Sequence, residues 1–463
     1  MKIDAKTLEP GFYRIKIQID PVDYAGRLSE ELKKLRKKIK FPGFRPGKVP
    51  VSLIQKQFGK TIKSEVIDKI IDEHFKEFIE SNDLFIFDDI IQESPDDLDE
   101  EMKKENPEFV YEIGYVPKSE IKIPLDKLKQ IPRYRIELTD ENLDDYVDIK
   151  RRFYGSMVPV EKFEPGTFMD ITIQPENGKE EQKISTSISY TRASENKKVL
   201  NILKKLQKDK THELSFEEAE DLLKLVIDNE DIEENLKLEP ADKLILTLEE
   251  INKIKPIEIT PEFLAQAYPD EGLKTEEDFR NYMKEELQTF FEQEAQSFYL
   301  KNIEEILINE NKWPVPESYF KKLYSLQDLA EEQISEVLNE DFLRAKKREQ
   351  IFKYYFFENN LELSSEDFTQ AVVNRTLAWL RYAGEYEKME DYNQVIEIGL
   401  ALIKENEHFK NEVMNFAFVA KGLAHLLSVL QPEEKLISSR EFTQIQEQFS
   451  ENTDSTYEEK SAS

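Results

Sequence analysis

Phe44 and Arg45 stand side by side between Gly43 and Gly47, inside the run Phe41-Pro-Gly-Phe-Arg-Pro-Gly-Lys-Val-Pro50. The arginine guanidinium offers a planar fork of donors that matches phosphate or carboxylate, and the phenylalanine ring supplies contact area that loses its water on binding. Eleven basic residues fall between Leu32 and Ser64 with no Asp or Glu among them, and Lys37, Lys38, Lys40 and Lys48 lie nearest the pair. The chain as a whole runs the other way: 65 Lys and Arg stand against 96 Asp and Glu, a net charge of −31 over 463 residues. A cationic tip on an anionic body suits a phosphate-rich surface that also offers protein pockets, such as a ribonucleoprotein. It disfavours binding to nucleic acid over the whole surface.

Two helices must hold that tip. Asp23 to Ile39 reads as a helix, because Leu28, Leu32, Leu35 and Ile39 recur at spacings of four, three and four. Its 17 residues extend about 25 Å at 1.5 Å each. Val51–Phe58 and Lys60–Ile79 read as helices after the loop, with Ile62, Val66, Ile70 and Phe78 as the buried stripe. Pro42 stops the first helix and Pro50 sits where a new one begins. Gly43 and Gly47 take positive φ at little steric cost, so the backbone between them turns sharply. Phe44 and Arg45 then project from a helix–loop–helix finger.

The run Leu35-Arg-Lys-Lys-Ile-Lys-Phe-Pro-Gly-Phe-Arg-Pro-Gly-Lys-Val-Pro50 resembles the motif of the trigger factor family, ribosome-associated chaperones of bacteria. The resemblance continues through Tyr13–Asp20 before it and Gln57–Ile67 after it. It implies that Gly43, Phe44, Arg45, Gly47 and Lys48 contact the ribosome, with Lys37, Lys38 and Lys40 alongside. The implied partners are a large-subunit protein and rRNA near the tunnel exit, together with nascent and unfolded polypeptides. A weak homodimer is a further association that the sequence leaves open. Many members carry a basic residue where this chain has Pro46, which implies one charge fewer at the tip.

The expected fold class is α+β in three parts. Residues 1–115 form an α+β ribosome-binding domain: Phe12–Asp20 alternates like a half-buried strand, and Leu84–Ile91 and Phe109–Tyr115 are further strands around the acidic loop Glu93–Glu108. Residues 116–158 form a proline-punctuated linker with a helix over Glu141–Phe153. Residues 159–255 carry strands at Met169–Ile173, Ile184–Tyr190 and Leu244–Ile251. Helices there cover Lys197–Lys208 and Phe216–Ile227, the second opened by a Ser215/Glu218 capping box. The resemblance implies here a peptidyl-prolyl isomerase domain like the FK506-binding proteins, in degenerate form. Residues 159–255 hold only Gly166 and Gly178 and no tryptophan, and Phe168, Tyr190 and Phe216 are assigned to its core.

Residues 256–445 are expected to be helical, with arms. Thr260-Pro261, Thr275/Asp278 and Ser364/Asp367 mark helix starts, and helices are placed over Glu317–Leu338, Asp341–Asn359, Gln394–Glu405 and Asn406–Leu430. Residues 446–463 lack apolar periodicity and are expected to be disordered. Aromatics are dense in this part, and Phe290, Phe291, Phe298, Tyr355 and Phe357 are the candidates for a cradle that holds unfolded chains.

Other chemistry has little support. The chain has no cysteine, which excludes disulfides, thiolate zinc sites and cysteine nucleophiles. Neither Gly-x-x-x-x-Gly-Lys-[Ser/Thr] nor Gly-x-Gly-x-x-Gly occurs, and His74, His212, His408 and His425 form no His-Glu-x-x-His. No catalytic residue, metal or cofactor is therefore assigned. No apolar signal segment follows Met1 and no run reaches about 18 uncharged apolar residues, so a cytoplasmic protein without a membrane span is expected. The leading reading is an ATP-independent chaperone that docks at the ribosome through Gly43–Lys48. The alternatives are an active prolyl isomerase with a divergent pocket and a stand-alone RNA-binding protein.

Overall fold

The structure, a computed structural model, describes residues 1–42, 44–45, 47–87, 89–93, 101, 104–176, 183–208, 210–226, 243–326, 330–384 and 392–461. The chain forms two compact units: Met1–Tyr134 with Gln296–Lys435, and Arg135–Ala295 with Leu436–Ser463.

The first unit is built on an antiparallel sheet of β1 (Lys2–Glu9), β2 (Phe12–Gln18), β3 (Leu84–Ile86), β4 (Ile91–Glu93) and β5 (Glu108–Pro117), in the order β1-β2-β5-β3 with β4 also on β5. Gly11 turns β1 into β2 at a φ of +85°. The two-residue period of β2 sends Ile15 and Ile17 to one face, where they pack with Phe109 and Ile113 of β5 against Ile67, Ile71 and Phe75. Those three lie on α2 (Val51–Ser81), which pairs with α1 (Pro21–Lys38). Phe12 faces the other way and joins Phe87, Ile91 and Val116 in a core shared with Trp313, Tyr319, Phe320, Ile351, Phe352 and Leu426. Gly114 is required here, since a Cβ on it would stand 2.6 Å from the Tyr319 ring.

The last residues of this unit are helical: Glu317–Ser325, Glu331–Val337, Glu340–Glu358, Ser365–Tyr382, Tyr392–Glu405 and Glu407–Leu430. Glu407–Leu430 is long and apolar enough to cross a membrane by length and composition, its few charges lying within an otherwise apolar run. In this fold it packs against Glu340–Glu358 and Ser365–Tyr382, burying Phe409, Val413, Ala417, Leu426 and Leu430 in a stripe mostly four residues apart.

In the second unit, β7 (Ser156–Pro159), β8 (Thr167–Pro175), β9 (Ile184–Ser189), β10 (Thr211–Ser215) and β11 (Lys243–Lys255) form an antiparallel sheet ordered β10-β11-β8-β9, with β7 also on β11. The strand β6 (Arg133–Ile136) holds the position where the chain first passes between the units. Met169, Ile171 and Ile173 of β8 and Leu244, Leu246 and Leu248 of β11 alternate inward. They meet Val199 and Leu203 of helix Lys197–Leu203 and Leu222 and Leu223 of helix Phe216–Val226. Ser215 and Glu218 make the capping box reciprocally, at 3.0 and 3.3 Å. A second core of Leu143, Phe263, Leu264, Phe279 and Met283 joins helix Asp140–Phe153 to helices Pro261–Ala267 and Glu276–Glu310.

The mixed α+β class and the helical C-terminal region are as read from the sequence. Several elements differ. The two helices placed after the loop are one, because Gly59 costs a helix interior only about 1 kcal/mol and the buried stripe runs on through it. The helix placed over Glu317–Leu338 is two, Glu317–Ser325 and Glu331–Val337. Helix Ser439–Ser461 extends through most of the tail expected to be disordered; it contains neither Gly nor Pro to stop it. Much of the acidic loop Glu93–Glu108 lies outside the described residues.

Candidate functional site

The tip between α1 and α2 is fastened by its own backbone. Phe44 N–H donates to the Phe41 carbonyl at 3.1 Å, and Lys48 N–H donates to Arg45 at 2.9 Å. Gly47, at a φ of +80°, donates its N–H to the carbonyl of Arg36 in the last turn of α1, at 3.1 Å. Space around Gly47 is open, so its conformation, and not crowding, calls for glycine. The Phe41 and Phe44 rings meet edge to face at 6.1 Å. One residue past the tip, Val49 is fully buried with Leu32, Ile54, Ile62, Val66 and Ile70. The loop is thus anchored on both sides, and its outer residues have nowhere to fold inward.

Phe44 is 41% exposed. Arg45, Lys48, Lys37, Lys38 and Lys40 are exposed too, and among the described residues none of these five makes an ion pair. Gly43 and Pro46 lie outside the described residues. Lys34 is paired with Glu31 at 2.7 Å, and Lys63 lies over the Tyr24 ring at 4.9 Å with burial lowering its pKa. The structure therefore sets five free cationic or guanidinium groups around one exposed ring, on a rigid support.

Val49 anchors the tip without belonging to the expected contact set. Its signal was an apolar residue caught between Lys48 and the helix-opening Pro50.

The cradle candidates separate. Phe290 is 50% exposed and Phe357 is 48% exposed, while Phe291 is half-buried beside Phe290. Phe298 and Tyr355 are buried, which corrects their placement on a binding surface. Phe298 packs against the Tyr134 ring at 6.2 Å, and the Tyr355 hydroxyl meets His425 Nδ1 at 3.1 Å within the core of the first unit. Helix Glu340–Glu358 is covered on most sides, so aromatic density along it reflects core. Even Lys353 is buried and donates to the Phe87 carbonyl at 3.0 Å.

A cavity of about 330 Å³ in the first unit holds Asp89, His408, Asn411, Arg375 and Glu412. His408 Nδ1 lies 3.1 Å from the Asp89 carboxylate and Asn411 donates to it at 2.6 Å. The His408 contact, with Asn411 adding to it, holds Asp89 below the usual carboxylate range despite burial. Acidic and basic groups alternate around this cavity, so it presents no single charge to a ligand. Among the described residues no group of His, Asp and Glu is placed to hold a metal ion.

The family model described as bacterial trigger factor protein (TF) matches residues 1–149, which include the whole finger. Over these residues the chain is similar to the trigger factor family. The trigger factor of Halorhodospira halophila is 26% identical over 163 residues, 35% of this chain and 36% of that one. The trigger factor of Bifidobacterium adolescentis is 25% identical over 195 residues, 41% and 42% of the two chains. That of Rhodospirillum rubrum is 41% identical over 69 residues, 15% of each. The chain thus spans less than half the length of these trigger factors. A solved chain described as the trigger factor chaperone covers 93% of this chain at 17% identity and a TM-score of 0.33, a likeness too slight to fix a common arrangement.

Proposed function

We propose that this chain is a chaperone of the trigger factor type that docks at the ribosome exit through the Phe44–Lys48 tip and shields unfolded polypeptides without using a nucleotide. The observation that carries this reading is the exposure of Phe44 and Arg45 on a tip pinned from both sides, within the part of the chain that matches the trigger factor family. Phe44 supplies desolvated contact area to a ribosomal protein, and Arg45 with the unpaired lysines supplies charge-assisted contacts to phosphate. The acidic remainder keeps a loaded complex soluble and turns nucleic acid away from every face but this one. Apolar side chains such as Phe290 and Phe357 give weak, direction-free contacts worth on the order of 25 cal/mol per Å² buried. That is the energetics of a holder, and mass action sets its release.

The test is co-sedimentation with ribosomes. Phe44→Ala combined with Arg45→Ala is expected to abolish pelleting while the circular dichroism spectrum stays unchanged. Pelleting of the double variant at the level of the unaltered chain would sink the docking role.

A further inference from the structure

Strand β11 is unevenly covered. On one side β8 pairs with it from Leu244 to Lys253, interrupted by a bulge between Leu248 and Glu250. On the other side β10 covers Lys243–Thr247 and β7 covers Asn252–Lys255. The stretch Leu248–Ile251 between them has no strand partner on that side among the described residues. One bond, from Val160 N–H to the Ile251 carbonyl at 2.7 Å, closes the β7 end. An opening in the middle of a sheet leaves main-chain donors and acceptors available to an added chain.

That opening is a cleft of about 490 Å³. Its apolar floor is Leu206 and Leu248, with half-buried Val160 and Ile251 at the sides. Its rim carries Glu161, Glu250 and Lys208. Lys208 reaches Glu250 only at 3.9 Å, and Glu161 makes no ion pair among the described residues. The wall is preformed: Gln207 N–H donates to His212 Nε2 at 3.1 Å, and Leu206 N–H donates to Leu203 at 3.1 Å.

We propose that this cleft binds an extended segment of unfolded polypeptide that lays an apolar side chain on the floor and sets a lysine or arginine beside it. The open edge of β11 asks for a partner with peptide N–H and C=O groups, as in strand addition. The floor takes one aliphatic side chain. Two carboxylates against one ammonium favour a cationic neighbour, and the charge of −31 draws basic segments toward it. No aromatic side chain is among the lining residues, so the site does not draw on Phe290 or Phe357. The inference deepens the chaperone reading and rests on it.

The test uses the full chain with the photo-crosslinking residue benzoylphenylalanine in place of Gln207, on the cleft wall, or of Glu217, which is exposed outside it. The probes are two ten-residue peptides differing only in a Leu-Lys or a Leu-Glu pair. Position 207 is expected to capture the Leu-Lys peptide well above position 217. The Leu-Lys peptide is expected to bind about threefold more tightly than the Leu-Glu peptide, a preference lost in Glu161→Gln/Glu250→Gln. Equal capture at the two positions, or an unchanged preference in that double variant, overturns the proposal. Suppression of the aggregation of reduced, carboxymethylated α-lactalbumin is measured alongside. Full suppression with equal capture removes this site alone, whereas no suppression removes the chaperone reading and this site with it.

Discussion

The N–H of Gly47 donates to the carbonyl of Arg36 across 3.1 Å, so the far side of the loop is tied to the last turn of the helix that enters it. This bond, with Val49 buried beneath it, makes the tip a fixed shape before any partner arrives. A preformed tip gives up less conformational entropy on docking than a loop that orders on contact.

Gly47→Ala tests that point. The backbone there is left-handed, which costs an L-residue about 1–2 kcal/mol. The space is open, so the strain is conformational and no neighbour is displaced. Ribosome affinity is expected to fall by up to about tenfold, the equivalent of about 1.4 kcal/mol, and the thermal midpoint to fall by a few degrees as the folded tip carries the strain. Pelleting titrations and calorimetry on the same preparation check both halves.

The triple change Lys37→Ala/Lys38→Ala/Lys40→Ala is expected to flatten the salt dependence of ribosome binding. The slope of log affinity against log salt should shrink by roughly one for each lysine that contacts phosphate. These side chains are exposed and unpaired among the described residues, so the urea midpoint should not move. A slope equal to that of the unaltered chain assigns the docking to Phe44, Arg45 and Lys48.

Burial predicts opposite outcomes for two phenylalanines on one helix. Phe298→Ala is expected to cost about 3–5 kcal/mol, because the ring is buried and leaves a cavity. Phe290→Ala is expected to change stability by no more than about 0.5 kcal/mol and to weaken the capture of an unfolded probe. Urea titration followed by hydrogen exchange separates the two effects.

Asp367 caps helix Ser365–Tyr382. The Lys421 ammonium at 2.8 Å, together with the Ser364 N–H and hydroxyl, holds its carboxyl down to about 2. A carboxyl lowered in the fold stabilises it above the ordinary value of 3.8 and stops doing so as pH falls from there through about 2. Lys421→Met should raise the Asp367 pKa and move the acid melting of this helix to higher pH. Carbon-detected NMR titration of the Asp367 carboxyl, with circular dichroism alongside, reads both.

Local patterns carried the finger and not its foundation. Leu28, Leu32, Leu35 and Ile39 announce α1, and Pro42, Pro50 and the two glycines announce the loop, since each acts within a few residues of itself. The hairpin partner β1 is nearly all exposed, so Lys2–Glu9 shows no alternation to read. Phe298 and Tyr355 look like Phe290 and Phe357 in sequence, because what buries them lies far along the chain. The Tyr355 helix meets β3 through Gln350, which donates to the Phe85 and Ile86 carbonyls more than 260 residues away, and the Phe85 and Tyr354 rings lie 5.9 Å apart. Pairings over such separations leave no mark in any window of sequence.

The first unit draws on both early and late stretches of the polypeptide, with Phe12, Phe87 and Val116 packed on Trp313, Phe352 and Leu426. During translation the early strands therefore wait, with one greasy side uncovered, until the last third has left the ribosome. The chain must itself pass through a long interval with that face open, and premature association through it is the hazard this topology carries.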